Sequence, residues 1–200
     1  AYQRYIKDYL RVIASIDALE ATSDTFAFYE AERSFGMSNR PALVVHDEEG
    51  DSFRVRGFID RVDRALGAEQ DAKGTPHRIR VIDYKTAGSS GYSNTAVREG
   101  KKLQLPLYAL AAQEALNLGE VIEGFYWHVR SAEASGFKLS GFSSEDGTGP
   151  RAAIQLAVAH AWEAVRGARA GHFVPKPPDG GCPAYCPASA FCWHYEARRW

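Results

Sequence analysis

The sequence predicts an α/β fold in which helices flank a mixed central β-sheet. Residues 2–20 show the spacing of an amphipathic helix, and a group of segments between residues 25 and 85 is rich in β-branched and aromatic residues. After residue 100, helical patterns alternate with one further strand. A helix, three or four strands, a helix, a strand and a final helix are typical of a sheet covered by helices.

The individual elements follow from local patterns. Apolar residues recur every three or four positions over residues 2–20, which predicts a helix packed on a core. Pro106 is compatible with a helix only near its first turn. Residues 87–100 are rich in Gly and Ser, which predicts a loop directly after the strand of Asp83; two interpretations stay open, a loop that contacts a ligand and an ordinary surface loop. Strands are predicted over residues 25–35, 42–46, 53–63, 78–85 and 121–130, and helices over residues 103–118 and 152–169.

Length and composition fit one domain, and we expect residues 1–200 to form it, with a cysteine-rich segment over residues 172–200. The net charge of −1 argues against a protein that coats DNA without specificity. No apolar run approaches the ~20 residues of a membrane helix, and no secretory signal is visible, so we expect a cytoplasmic protein. Since Met37 is the only methionine, we also expect a fragment of a longer protein.

Two of the predicted strands bring acidic and basic side chains together. Side chains two apart on a strand share a face, so Asp83 and Lys85 project together. An antiparallel neighbour would place Asp60 beside Asp83. Paired carboxylates suit Mg²⁺, and a lysine beside the cation can position a water or stabilise a developing oxyanion. The sequence therefore predicts a cation site built from Asp60, Asp83 and Lys85.

Three motifs occur in order along the chain: Gly57-x-x-Asp60-Arg61-x-Asp63, Asp83-Tyr84-Lys85-Thr86 and Gln104-x-x-x-Tyr108. Over roughly residues 26–195 this set resembles the RecB-like branch of the PD-(D/E)XK nuclease superfamily, which includes the nuclease domains of RecB, AddB and Cas4-like proteins. The resemblance implies a restriction-endonuclease-like fold that hydrolyses DNA. It implies Mg²⁺ or Mn²⁺ on Asp60 and Asp83, with Lys85 orienting the attacking water. It also implies supporting roles for Glu32, Gln104 and Tyr108.

The resemblance extends to partners. It implies an exonuclease for DNA end processing, recombination and repair, joined to a helicase domain or subunit; this chain has no GxxxxGK[ST] phosphate loop of its own. Four basic residues are candidates for binding DNA phosphates: Arg61, Arg98, Lys101 and Lys102. Two alternatives stay open, namely a catalytically silent DNA-binding or scaffolding module and a zinc-stabilised interaction domain.

Three cysteines crowd near the C-terminus, at positions 182, 186 and 192. An odd number at this spacing suits a metal site better than a disulfide framework. Cys182, Cys186 and Cys192 could bind zinc, with His194 as fourth ligand, or a cluster of four irons, which needs four thiolates. AddB-like relatives add one cysteine from far upstream. The resemblance therefore implies an iron–sulfur cluster in the intact protein, with the fourth cysteine before Ala1. It also implies a metal-binding histidine upstream of the first strand; no histidine precedes His46, so the protein either lacks this ligand or carries it before Ala1.

Overall fold

A five-stranded mixed β-sheet is the central element of the structure. The computed structural model describes residues 2–21, 25–67, 76–86, 91–173, 182 and 185–192. The chain divides into two compact units, Ala1–Ala161 and Trp162–Trp200, with the boundary inside the last helix. Across the described ranges, no helix has both the length and the apolar character that a bilayer crossing requires. The α/β fold class predicted from the sequence is confirmed.

The elements alternate along the chain as the sequence predicts in outline. The helices are α1 Tyr2–Ala21, α2 Asn94–Arg98, α3 Gln104–Leu110, which continues as a π-helical turn Ala111–Ala115, and α4 Gly149–Arg169. The strands are β1 Phe26–Phe35, β2 Leu43–His46, β3 Ser52–Val55, β4 Gly57–Ala65, β5 Arg78–Lys85, β6 Glu120–His128, β7 Glu133–Lys138, β8 Ser143–Ser144 and β9 Gly147–Thr148.

The sheet has the order β1-β4-β5-β6-β7. Every neighbouring pair is antiparallel except β5 and β6, which are parallel. A parallel pair needs a crossover connection, and here the crossover carries α2 and α3. This connection places the start of α3 beside the end of β5, where the candidate site residues lie.

The two faces of the sheet are covered by different helices. On one face, Leu19 of α1 packs in a buried cluster with Ile82, Phe125 and Trp127. Trp127 also donates its indole N–H to the Ser15 hydroxyl at 2.8 Å, which fixes the helix on the sheet. On the other face, the main-chain N–H of Leu105 in α3 donates to the Tyr126 hydroxyl at 3.3 Å. Because β5 lies between these layers, its residues from Ile79 to Asp83 are all buried.

A buried charge cluster joins β4 to β5 on the α1 face. Asp63 is fully buried, and its Oδ1 accepts from Arg61 Nε at 2.6 Å. Its Oδ2 accepts from Arg80 Nε at 2.8 Å and Nη2 at 2.7 Å. The guanidinium of Arg80 also lies 4.7 Å from the ring centroid of Phe26. The single carboxylate therefore pairs with two buried guanidinium groups.

The structure differs from the predicted elements in three places. Residues 53–63 are not one strand, because β3 ends before Arg56 and pairs with β2 in a separate hairpin. A Cβ at Gly36 would lie 2.6 Å from Arg56 Cβ, so this close approach needs glycine where the hairpin leaves the sheet. The predicted loop over residues 87–100 contains α2, with residues 87–90 outside the described ranges. The segment 131–150, which showed no motif, supplies β7.

The packing of α1 generates a stability prediction. Leu19→Ala removes a fully buried side chain from the cluster on Ile82, Phe125 and Trp127. We expect the free energy of unfolding to fall by about 2–5 kcal/mol, measured by urea denaturation. Leu10→Ala is the matched control in the same helix, because Leu10 is 57% exposed. Equal losses in the two variants would show that α1 does not pack on the sheet through Leu19.

Candidate active site

Asp60 lies where the hydrogen-bonded ladder between β4 and β5 ends. The last paired residues are Arg61 on β4 and Ile82 on β5. Asp60 is the next residue of β4 beyond this pair. In place of a further ladder bond, Asp60 Oδ2 accepts from the main-chain N–H of Tyr84 at 2.7 Å. The half-buried carboxylate of Asp60 is therefore held against the strand that carries Asp83.

Asp83 is almost completely buried, with 1% of its side chain exposed. Its Oδ2 lies 2.6 Å from Lys85 Nζ in an ion pair. Burial raises the pKa of Asp83 above its ordinary value; the nearby Lys85 charge opposes this shift and the Asp60 charge adds to it. Burial therefore makes the ionised form of the Asp83 carboxyl group unfavourable, and a nearby cation would stabilise that form.

Three groups position the Lys85 ammonium. Besides the Asp83 carboxylate, Gln104 Oε1 accepts from Lys85 Nζ at 2.9 Å. Gln104 is the first residue of α3, so the crossover helix directly contacts the face of the sheet that carries Asp83 and Lys85. The Tyr126 ring lies 5.3 Å from Nζ and forms the third contact. The side chain of Lys85 stays 21% exposed, so its ammonium can reach a substrate.

Tyr108 lies one helical turn after Gln104 and packs beside β1 and β4. Its ring makes an edge-on contact with Phe35, with centroids 5.7 Å apart. A Cβ at Gly57 would lie 3.1 Å from both the Tyr108 ring and its hydroxyl. The glycine that opens the first motif therefore makes room for the tyrosine that closes the third.

Glu32 is exposed on β1, and its register lies between the pairs Ala31–Arg61 and Arg33–Ile59. This position is level with Asp60 on the neighbouring strand. Glu32 has φ = 51°, a left-handed conformation that is uncommon for a residue with a side chain. Strained backbone of this kind often occurs at functional sites. No hydrogen bond of Glu32 to Asp60 or Asp83 is present among the described residues.

The structure adds three residues that the sequence reasoning missed. Tyr126 and His128 on β6 lie level with Asp83 and Lys85 on the parallel β5. Tyr92 packs on both, with ring centroids 4.5 Å from Tyr126 and 5.3 Å from His128. Burial raises the pKa of Tyr126, so its phenol stays neutral at physiological pH. The alternation of side chains along β6 was the sequence signal for Tyr126 and His128. It places them beside Asp83 and Lys85 only once the register between β5 and β6 is known.

The four basic residues predicted to bind phosphates have different surroundings. Arg61 lies on the opposite face, 4% exposed and paired with Asp63, so the structure does not bring it to the site. Lys101 pairs with Glu99 at 2.9 Å, and this hydrogen bond lowers the pKa of Glu99. Lys102 places its ammonium 4.5 Å from the centroid of the Tyr92 ring. The remaining candidate, Arg98, is exposed at the end of α2.

The three cysteines lie in the second unit. Cys182 is buried, and Cys186 and Cys192 are half-buried. Hydrogen bonds from Ser189 N to Cys186 O and from Cys192 N to Ala188 O form a turn between the last two cysteines. His194, the alternative zinc ligand, lies outside the described residues.

The oxygen ligands on the face that carries Asp60 and Asp83 fit a hard divalent cation. In the part of the chain that the structure describes, no three His, Cys, Asp or Glu side chains converge as a ready metal cluster. Asp60 and Asp83 nevertheless supply two carboxylates, and Asp83 is buried at the cost noted above. Proteins often bind Mg²⁺ through one or two carboxylates, with waters as the other ligands, so Asp60 and Asp83 provide enough protein ligands for a magnesium site.

The sheet with its crossover helix, and the carboxylates and lysine on one face, are the arrangement that the PD-(D/E)XK resemblance implies. A model of the PD-(D/E)XK nuclease superfamily matches residues 1–193, so this chain belongs to that superfamily. It is also similar to a subunit of the ATP-dependent helicase/deoxyribonuclease of Moorella thermoacetica, with 39% identity over 95 residues. That stretch is 46% of this chain and 8% of the relative's length. The RecB-like resemblance is thereby confirmed.

Proposed function

We propose that this chain is a metal-dependent DNA nuclease domain, acting as an exonuclease. The observation that carries the proposal is the convergence of Asp60, Asp83 and Lys85 on one face, with the Lys85 ammonium held by Gln104 Oε1 at 2.9 Å. Membership of the nuclease superfamily supports the same reaction class. A catalytically silent module would not need a lysine anchored in this way.

Asp60 and Asp83 would hold Mg²⁺ or Mn²⁺, with a main-chain carbonyl next to Asp83 as a further ligand. The bound cation would supply Lewis-acid stabilisation of the phosphoryl oxygens and a more acidic water. The cost of burying the Asp83 carboxylate supports this assignment, because that cost is recovered when a cation is present. The main-chain N–H of Tyr84 donates to Asp60 Oδ2 and holds the carboxylate in place. The other carboxylate oxygen of Asp60 would then bind the cation.

Lys85 orients the attacking water and stabilises the negative charge that develops on the phosphate. Gln104 keeps its ammonium at the catalytic face, and Tyr108 supports the strand that carries Asp60 through its contact at Gly57. Glu32 is level with Asp60 on the outer strand and contributes a further acidic group near the cation. The reaction breaks a phosphorus–oxygen bond by addition of water and needs no redox partner.

We further propose that the domain works in the cytoplasm with a helicase domain or subunit, in the processing of DNA ends for recombination and repair. This part of the proposal rests on the similarity to a relative named as a helicase/deoxyribonuclease subunit. Arg98 and Lys102, which are close together in sequence before α3, are the candidate contacts to DNA phosphates, whereas Lys101 is paired with Glu99 at 2.9 Å.

The C-terminal cysteines are proposed as ligands of a four-iron cluster in the natural protein. Cys182 is buried, and Cys186 and Cys192 flank a hydrogen-bonded turn. Three thiolates leave one ligand of such a cluster to be supplied from elsewhere. Zinc bound with His194 is the competing assignment.

The nuclease proposal predicts a separation between metal binding and turnover. With Mg²⁺ or Mn²⁺ the purified protein should cleave linear DNA, and EDTA should stop the reaction. Asp83→Ala should abolish metal binding measured by calorimetry. Lys85→Ala should keep metal affinity within about twofold but lower the cleavage rate by about 100-fold or more, since it removes one group that stabilises the transition state.

Lys7→Ala is the control for the loss of a lysine, because Lys7 is exposed on α1 and distant in sequence from the motifs. DNA binding by the wild-type protein without cleavage in either metal would contradict the enzyme and favour the silent module. Undiminished cleavage by Asp83→Ala and Lys85→Ala would show that another site carries the activity.

The cluster proposal predicts iron in the protein as its natural gene encodes it, prepared without oxygen. We expect about four irons per chain and broad visible absorption, both lost in Cys186→Ser. The change Ser189→Ala, in the same turn, leaves the thiolates in place and should retain the iron. One zinc per chain and no iron would rule out the cluster and make His194 a ligand.

A further inference from the structure

We propose that Lys102, held in place by Tyr92, binds a backbone phosphate of the DNA strand close to the bond that is cleaved. This inference rests on the proposed nuclease function and identifies a second contact with its substrate. It separates Lys102 from Lys101, its neighbour in sequence, and gives Tyr92 the role of a positioning residue.

Tyr92 forms a fixed platform beneath the Lys102 ammonium. Its ring centroid lies 4.5 Å from that of Tyr126 and 5.3 Å from that of His128, two buried residues of β6. Its main-chain carbonyl also accepts from Phe137 N at 3.1 Å, which ties the residue to β7. The Lys102 Nζ lies 4.5 Å from the Tyr92 centroid, within the range of a cation–π contact.

The platform links Lys102 to the catalytic lysine. The centroid of the Tyr126 ring lies 5.3 Å from Lys85 Nζ and 4.5 Å from the centroid of the Tyr92 ring. Lys102 Nζ lies 4.5 Å from the Tyr92 centroid. The two ammonium groups are therefore at most about 14 Å apart. A DNA strand advances by about 3.4 Å per nucleotide in the B form. A phosphate on Lys102 would therefore lie within about four nucleotides of the phosphate on Lys85.

The charge of Lys102 is available to an anion. An ammonium group has three donors and no acceptor, and an aromatic ring covers only one side of it without neutralising its charge. Within the described ranges no carboxylate forms an ion pair with Lys102. Lys101, in contrast, pairs with Glu99 at 2.9 Å. A phosphate would therefore be attracted more strongly to Lys102 than to Lys101, because the charge of Lys101 is partly neutralised by Glu99.

The competing explanation is that Lys102 only covers the Tyr92 ring with its aliphatic stem. Substrate kinetics distinguish the two. The substrates are single-stranded oligonucleotides in which one phosphate at a time is replaced by a neutral methylphosphonate. The proteins are the wild type, Lys102→Ala, Lys102→Arg, Lys101→Ala, Tyr92→Phe and Tyr92→Leu, with Mg²⁺ present.

We expect Lys102→Ala to raise KM about three- to tenfold with kcat changed less than about twofold, because a remote phosphate contact contributes equally to ground and transition state. The dependence of log KM on log salt should become shallower by about 0.7. One methylphosphonate within about four nucleotides of the cleaved bond should weaken binding by the wild type but not by Lys102→Ala. Lys101→Ala should remain sensitive at that position, and Lys102→Arg should restore most of the affinity.

Tyr92→Phe keeps the ring and should behave as the wild type, whereas Tyr92→Leu should reproduce part of the KM defect of Lys102→Ala. Equal methylphosphonate profiles for Lys101→Ala and Lys102→Ala would overturn the inference while leaving the nuclease proposal intact. A wild-type protein that cleaves neither these oligonucleotides nor linear duplex DNA would overturn the nuclease proposal itself, and this inference with it.

Discussion

The pairing of Asp63 with two arginines is the interaction on which the arrangement of the sheet depends. Asp63 is fully buried, and its carboxylate oxygens accept from Arg61 at 2.6 Å and Arg80 at 2.8 Å. Removal of one partner from a buried ion pair leaves an uncompensated charge and costs about 3–5 kcal/mol. A shift of one residue between β4 and β5 would separate Asp63 from Arg80 and move every side chain to the opposite face. The charge cluster therefore disfavours any other register.

The same register determines what the other face presents. Because Asp63 is opposite Arg80, the next positions along the two strands bring Asp60 level with Asp83 at the point where the ladder stops. The freed main-chain N–H of Tyr84 then donates to Asp60, and the crossover helix supplies Gln104 to Lys85. One face thus carries the interactions that hold the strands together. The other carries polar groups whose charges are only partly balanced, which suits catalysis better than stability.

The sequence predicted the part of the site that follows from strand periodicity. Asp83 and Lys85 are two apart on one strand, so their shared face required no tertiary information. The same alternation separates Asp60 from Arg61, so it already argued against Arg61 as a phosphate ligand on the catalytic face. The roles of Tyr92 and Tyr126 were not predictable, because they depend on the parallel register of β5 and β6 across a long crossover. The Gly- and Ser-rich composition also concealed β7, whose stability comes from pairing with β6 rather than from local propensity.

Iron-directed backbone cleavage tests most directly whether Asp60 and Asp83 share one divalent cation, as we propose. Fe²⁺ would replace Mg²⁺ in the metal-binding protein, and ascorbate with peroxide would generate radicals that cut the chain next to the bound ion. Mass spectrometry would then locate the cuts. We expect two groups of cuts, near Asp60 and near Asp83 and Tyr84, and excess Mg²⁺ should suppress both. Cuts confined to the cysteine-rich segment, or cuts near Asp60 and Asp83 that Mg²⁺ does not suppress, would contradict the shared site.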